Sequence, residues 1–402
     1  MTDHDLDFRP SLRASVEAYA TDDPGRVVLI DTDRLVPGGV AMPEAEARLR
    51  ELFTGLFTLG ELVEAFAEIP DGVPEAVLRR VVAAFDRGLL LQSDAFFEYV
   101  EGRERRPSCV GAYPGDPARL PAALDGLFTL PDGPGRPGPF RDGSKLRALL
   151  VPHMDYARGN VTYAHGYKEL AERCRATVFV VVATSHYSGH RFTLTRKDFT
   201  TPLGTVPTDQ AAIDLLVADY GPGLFDDATA HLPEHSIELE VLWLQHLFRG
   251  RDFTIVPLLV GSFHDAIEGG VSPGDRPDIA RMVTALRKLD ESLGDAGCFV
   301  ISGDLAHIGP KFRDPQPVSP AQLAACELQD GRLLATFATP DPEAYAAVIR
   351  DEQNARRVCG FPPTWLTLAA LRPAAGRLLH YQQYVAPDGH ESVSFAAAVF
   401  ED

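Results

Sequence analysis

The chain has 402 residues, 45% hydrophobic and 24% charged, which is the balance of an ordinary globular protein with room for more than one domain. A formal net charge of -19 with no long basic run opposes contact with phosphate backbones, so a nucleic-acid function is not expected. No apolar run is long enough to cross a membrane, and the start, Met1-Thr2-Asp3-His4, carries neither a basic nor an apolar leader pattern, so a cytoplasmic location is expected.

In chain order, Pro43 to Phe53 and Leu59 to Ala67 have helical apolar spacing. Thr58 with Glu61 three residues on forms a capping box ahead of the second of these. A third helix is predicted from Pro74 to Phe85, and Gly88 to Gln92 with Phe96 to Val100 reads as a short hairpin. Three helices and a hairpin resemble a small winged-helix domain, for which the acidic balance favours partner docking or a structural role over DNA binding. The charged stretch Glu101 to Arg106 marks a boundary, giving an N-terminal domain over 1–106 and a second domain over 107–402.

The second region opens with a predicted helix over Pro114 to Leu127 and a Gly- and Pro-rich loop over Pro131 to Ser144. Three apolar runs then each lead to a histidine: Leu149 to His153, Val178 to His186, and Phe299 to His307. Such runs are the mark of strands buried on both faces of a parallel sheet. Helices are predicted around Tyr163 to Cys174, Gln210 to Tyr220, Ile237 to Phe248, Pro277 to Leu293 and Pro320 to Phe337. A further strand over Phe253 to Gly261 contains Pro257, which places it toward an edge or a bulge. Leu378 to Ala386 and Ser392 to Phe400 flank Asp388-Gly389 as a hairpin. The predicted fold class is α/β, with a mixed, mostly parallel sheet sandwiched by helices.

Ligands in open α/β sheets bind beyond the carboxyl ends of the strands, where His153, His186 and His307 would converge with Asp304 nearby. Three imidazoles converging there would be able to bind a divalent transition metal directly. Each one, taken singly, has the alternative of a local structural hydrogen bond. Glu234 and His235 precede a predicted helix, where a carboxylate is favoured electrostatically, which is the stronger reading of the pair; Asp304 or Glu234 could otherwise complete a carboxylate-bearing ligand set or orient a ligand histidine. Cys359, before Gly360, Phe361, Pro362 and Pro363, is placed at a loop end. The five cysteines, Cys109, Cys174, Cys298, Cys326 and Cys359, lack C-x-x-C spacing and read as reduced thiols. His264 is a distant alternate ligand, and Tyr156 and Tyr381 either line the pocket or pack.

Ala112-Tyr113-Pro114-Gly115-Asp116-Pro117, Pro152-His153-x-x-Tyr156, Ser185-His186, Thr201-Pro202-Leu203-Gly204, Glu234-His235-Ser236-Ile237-Glu238, Val256 to Gly261, Ser302-Gly303-Asp304-x-x-His307 and Cys359-Gly360 occur in an order that resembles the Memo family over about residues 108–402. The resemblance implies a fold similar to class III extradiol dioxygenases. It also implies a pocket of three histidines and a cysteine, falling on His153, His186, His307 and Cys359 with Asp304 beside them. Partners implied by it are a radical SAM protein and an AMMECR1-like protein, this longer chain resembling that system's B component. Met154-Asp155, Tyr187 and Phe361 depart from the family pattern and alter the pocket wall, so no substrate is carried over.

Two functions follow as expectations. One is a redox protein or oxidoreductase using iron or copper ahead of zinc, with Cys359, Asp304 and Glu234 as catalytic candidates. The other is a non-catalytic component that recognises a peptide or small molecule in the same pocket. Zinc-dependent hydrolysis, with Asp304 or Glu234 as base to a metal-bound water, is the weaker alternative.

Overall fold

In the computed structural model, which describes residues 4–402, the chain forms two compact units, one ending at Ser108 and the other Cys109–Asp402. The first begins with an antiparallel meander of β1 (Val16–Ala20), β2 (Arg26–Asp31) and β3 (Gly39–Pro43). Then come α1 (Glu44–Ala47), α2 (Leu59–Ala67), α3 (Glu75–Arg87), α4 (Asp94–Glu101) and the two-residue β4 (Glu104–Arg105). The capping box at Thr58 and Glu61 is formed as the spacing requires. Leu29, Phe53, Leu59, Leu78 and Phe85 are buried in a core belonging to this unit.

The hairpin expected after α3 is absent. Ser93 accepts the Phe96 N–H and starts α4 over residues whose aromatic content favours strand, with Asp94 in the first turn at the positive end of the helix dipole. Capping here outweighs β propensity, and the strands of this unit precede its helices. The order of three helices and a wing is not observed.

The second unit begins with α5 (Leu120–Leu127) and β5 (Leu146–Val151), followed by α6 (Tyr156–Arg173), β6 (Val178–Thr184), β7 (Phe192–Leu194) and a small hairpin of β8 (Asp198–Thr201) and β9 (Gly204–Val206). Next are α7 (Gln210–Tyr220), α8 (His235–Leu247), β10 (Thr254–Val260), α9 (His264–Glu268), α10 (Pro277–Leu293), β11 (Gly297–Ser302) and β12 (His307–Ile308). The chain closes with α11 (Pro320–Ala335), α12 (Pro342–Asp351), α13 (Phe361–Leu371), β13 (Ala375–Val385) and β14 (Ser392–Glu401).

The main sheet runs in the order β12-β14-β5-β11-β6-β10-β7, with β13 paired to β14. Its centre, β5-β11-β6-β10, is parallel, and the flanking pairings are antiparallel. In β6, Val180 and Val182 face a core shared with α7, α10 and α13, whereas Phe179 and Val181 face one shared with α5, α6 and α8. Helices on both faces are the reason this strand is apolar from Val178 to Ala183. Pro257 does not make β10 an edge strand: β10 pairs with β6 on one side, and β7 covers only Leu258 to Val260 on the other. Among the described residues, no helix is long and apolar enough to cross a membrane.

The parallel strands end together. Val151 closes β5 just before His153, Thr184 closes β6 just before His186, and Ser302 closes β11 just before Asp304. Beside that edge the turn after β11 meets the turn before α13. The Gly360 N–H donates to the Asp304 carbonyl at 2.8 Å, and a Cβ on Gly303 would stand 2.5 Å from the Gly360 Cα. A Cβ on Gly360 would stand 2.7 Å from the Asp304 carbonyl oxygen. Backbone lies on both sides, so neither position has room to relax.

Gly303→Ala and Gly360→Ala are each expected to lower stability by about 1–3 kcal/mol through overpacking, read as a fall in the urea midpoint at constant slope. Gly331→Ala, within α11 and with open space around it, should leave the midpoint unchanged or raise it.

Candidate metal centre

At the carboxyl edge, His153, His186 and His235 present ligand nitrogens that all lie within 4.8 Å of one another. Their ring centroids are 4.8 to 5.3 Å apart. His153 follows β5, His186 follows β6, and His235 is the first residue of α8.

Glu234, the N-cap of α8, organises this group. It is 1% exposed, and its carboxylate accepts from the His186 N–H at 2.7 Å, the His235 N–H at 3.0 Å and the Ser236 N–H at 3.2 Å. The same carboxylate holds His186 Nδ1 at 3.0 Å and His235 Nδ1 at 3.2 Å. Burial opposes its ionisation, but these bonds and the adjoining imidazoles more than offset that and hold its acidity well below the usual carboxylate range. A carboxylate so occupied is a positioning group: it fixes Nδ1 of both rings as the partnered nitrogen and leaves Nε2 of each for another task.

Cys359 lies in the turn before α13, with Sγ 3.3 Å from His153 Nε2. Burial raises its thiol, and a hydrogen bond with His186 works in the opposite direction. Burial likewise lowers His186, yet its bonds to Cys359 and Glu234 prevail and raise it to about 10. His153, 3% exposed, is held well below its ordinary value by burial and by the other imidazoles, so it is a neutral donor.

Asp304 accepts the His153 backbone N–H at 3.1 Å through Oδ1, and its Oδ2 lies 3.6 Å from His153 Nε2. Burial raises its carboxyl to about 7. His307 lines the same cavity, of about 500 Å³, but stands outside the close group of three. Its Nδ1 faces the carbonyls of Leu305 and Arg357, each at 3.1 Å, and burial lowers it to about 4. The neutral ring therefore donates from Nδ1 and keeps a lone pair on Nε2.

The structure thus brings His153, His186, Asp304, Glu234 and Cys359 to one place, with His307 on the wall. His235 is the residue that sequence reasoning set aside as part of a helix start. The signal was its neighbour: a carboxylate capping α8 also reaches back to the histidine after β6. Tyr156 and Tyr381 hydrogen-bond to the Leu239 carbonyl and to Asp330, and His264 pairs with Glu268. Asp155 caps α6 and pairs with Arg158, so the extra carboxylate near the site is matched by a cation. Phe361 is buried in the core beside Phe263 and Tyr345.

A family model described as Memo-like protein matches residues 105–399. A MEMO1 family protein of Aquifex aeolicus is 26% identical over 375 residues, covering 90% of this chain and 92% of that one. A second, of Methanopyrus kandleri, is 28% identical over 307 residues, covering 74% of this chain and 99% of its own length. A third, of Aeropyrum pernix, is 29% identical over 280 residues, covering 68% and 88%. The matched region contains every residue of the histidine, cysteine and carboxylate cluster, and the chain belongs to the Memo-like protein family.

Proposed function

We propose that the chain is a redox protein that holds one iron or copper ion, in preference to zinc, on His153, His186 and Cys359, with His235 as the adjoining imidazole and His307 on the open wall. The observation that carries this reading is the Cys359 sulfur 3.3 Å from the Nε2 of a buried, neutral histidine, beside imidazoles whose other nitrogens are already partnered. Imidazoles with a thiolate suit copper and iron, and a carboxylate that orients histidines from behind is the usual arrangement around a metal. When bound, the ion supplies one-electron chemistry.

The protein's residues do the rest. Glu234 locks the tautomer of His186 and His235. Asp304, near pH 7 in its titration, holds or releases a proton next to His153 and Cys359. The burial of His153, Asp304 and Glu234 keeps bulk water from the inner side of the site. A radical SAM protein and an AMMECR1-like protein belong to the same proposal as partners, supported by the family resemblance and tested by co-purification.

Elemental analysis after anaerobic purification should find about one transition-metal ion per chain. Less than about a tenth of an equivalent, even after reconstitution, would count against a metal role. His186→Ala should lose metal while the domain stays folded, with a lower thermal midpoint because the buried Glu234 carboxylate loses one of its ring partners.

To serve as a ligand, His186 would have to give up the proton it holds up to about pH 10. Metal affinity should therefore rise with pH, by about tenfold per unit below that value for each proton released. Calorimetric titration in two buffers of different ionisation enthalpy should show release of at least one proton, and buffer-independent heats would contradict this. Glu234→Gln should bring the His186 titration down toward its ordinary value, visible by NMR, and weaken metal binding by about 10–100-fold.

A further inference from the structure

The cavity over the histidines is not the only space that reaches the site. A second cavity, of about 370 Å³, lies on the other side of His186. The two divide the cluster. The first is lined by His153, His235, His307 and Asp304 but not by Cys359, whereas the second is lined by Cys359 and by none of those four. His186 is the wall they share.

The second cavity has its own chemistry. Val260, Phe263, Ile267 and Phe361 give it apolar walls. The basic groups among its lining residues are already engaged: Arg357 donates to the His307 carbonyl at 3.1 Å and pairs with Asp314 at 2.6 Å, His186 holds the Glu234 carboxylate at 3.0 Å, and His264 pairs with Glu268 at 3.1 Å. Asn354 accepts the Val358 N–H at 2.8 Å. The Ser185 hydroxyl, by contrast, is buried without a hydrogen-bond partner among the described residues. A buried hydroxyl left unpaired is costly, and a ligand that pairs with it recovers that cost. The volume is at the small end of ligand sites, enough for a compact molecule.

We propose that this second cavity is a binding site for a small, uncharged, mostly apolar molecule carrying one hydroxyl or carbonyl group, which pairs with Ser185 and lies against the Cys359 thiol. Such a molecule reaches Cys359 without entering the cavity lined by His153, His235 and His307. The inference rests on the cavity and its lining, not on the metal reading, and its test is made on chelator-treated protein so that the two fail separately.

The test is alkylation of Cys359 by iodoacetamide in the full chain, followed by mass spectrometry of the Cys359 peptide. Ser262 is exposed at the mouth of the second cavity, and Lys311 stands at the first. Ser262→Trp should slow the reaction about fivefold or more, because thiol reactivity depends on access as well as ionisation. Lys311→Trp should leave the rate within about twofold. No slowing by Ser262→Trp, or equal or greater slowing by Lys311→Trp, overturns the assignment.

The ligand class is probed with 4-methylphenol, which should protect Cys359 saturably in the millimolar range, while benzenesulfonate should not. Ser185→Ala should weaken that protection without abolishing the alkylation. Absence of protection by 4-methylphenol, or equal protection by the sulfonate, overturns the ligand class.

Discussion

A single buried carboxylate holds the functional edge of this protein together. Glu234 sits where the end of β6 and the start of α8 both present unpaired N–H groups, and it accepts from both. An ionised carboxylate withdrawn from water costs several kcal/mol, which a set of charge-assisted hydrogen bonds of about 1.5–3 kcal/mol each offsets. The same bonds that make its burial tolerable also dictate which nitrogen of His186 and His235 faces inward. Stability and site geometry are therefore one interaction, and a substitution here disturbs both.

That interaction depends on the sheet. Parallel strands that end in register deliver their following residues to a common edge, which is why His153, His186 and Asp304 come together from positions far apart in the chain. The antiparallel β14 then pairs along the far side of β5 and runs on past its end, where Ser394 exchanges backbone hydrogen bonds with Leu305 and Ala306. The departures from the family pattern are absorbed locally: Asp155 is paired with Arg158, which also reaches Glu391, and Phe361 joins the core.

Much of this was legible in the residues, and the exceptions have physical causes. α7 and α10 match their predicted bounds, and the strongly amphipathic α10 turns one apolar face to a single core. The buried α13, Phe361–Leu371, shows no such periodicity because every one of its residues is covered. In the first unit, the short β1 to β3 escaped notice, and Ser93 turned an aromatic segment that reads as strand into a helix. At the site, the histidines after apolar strands announced themselves by position. His235 did not, because a histidine at a helix start has no pattern of its own until the fold places Glu234 between it and His186.

The contact between Gly303 and Gly360 has a mechanical consequence. With backbone against backbone and a hydrogen bond from Gly360 to the Asp304 carbonyl, the turn that carries Asp304 and the turn that carries Cys359 have no compressible layer between them. The backbone separation of the two turns is therefore set by this contact, and a side chain at either glycine would push the Asp304 turn and the Cys359 turn apart.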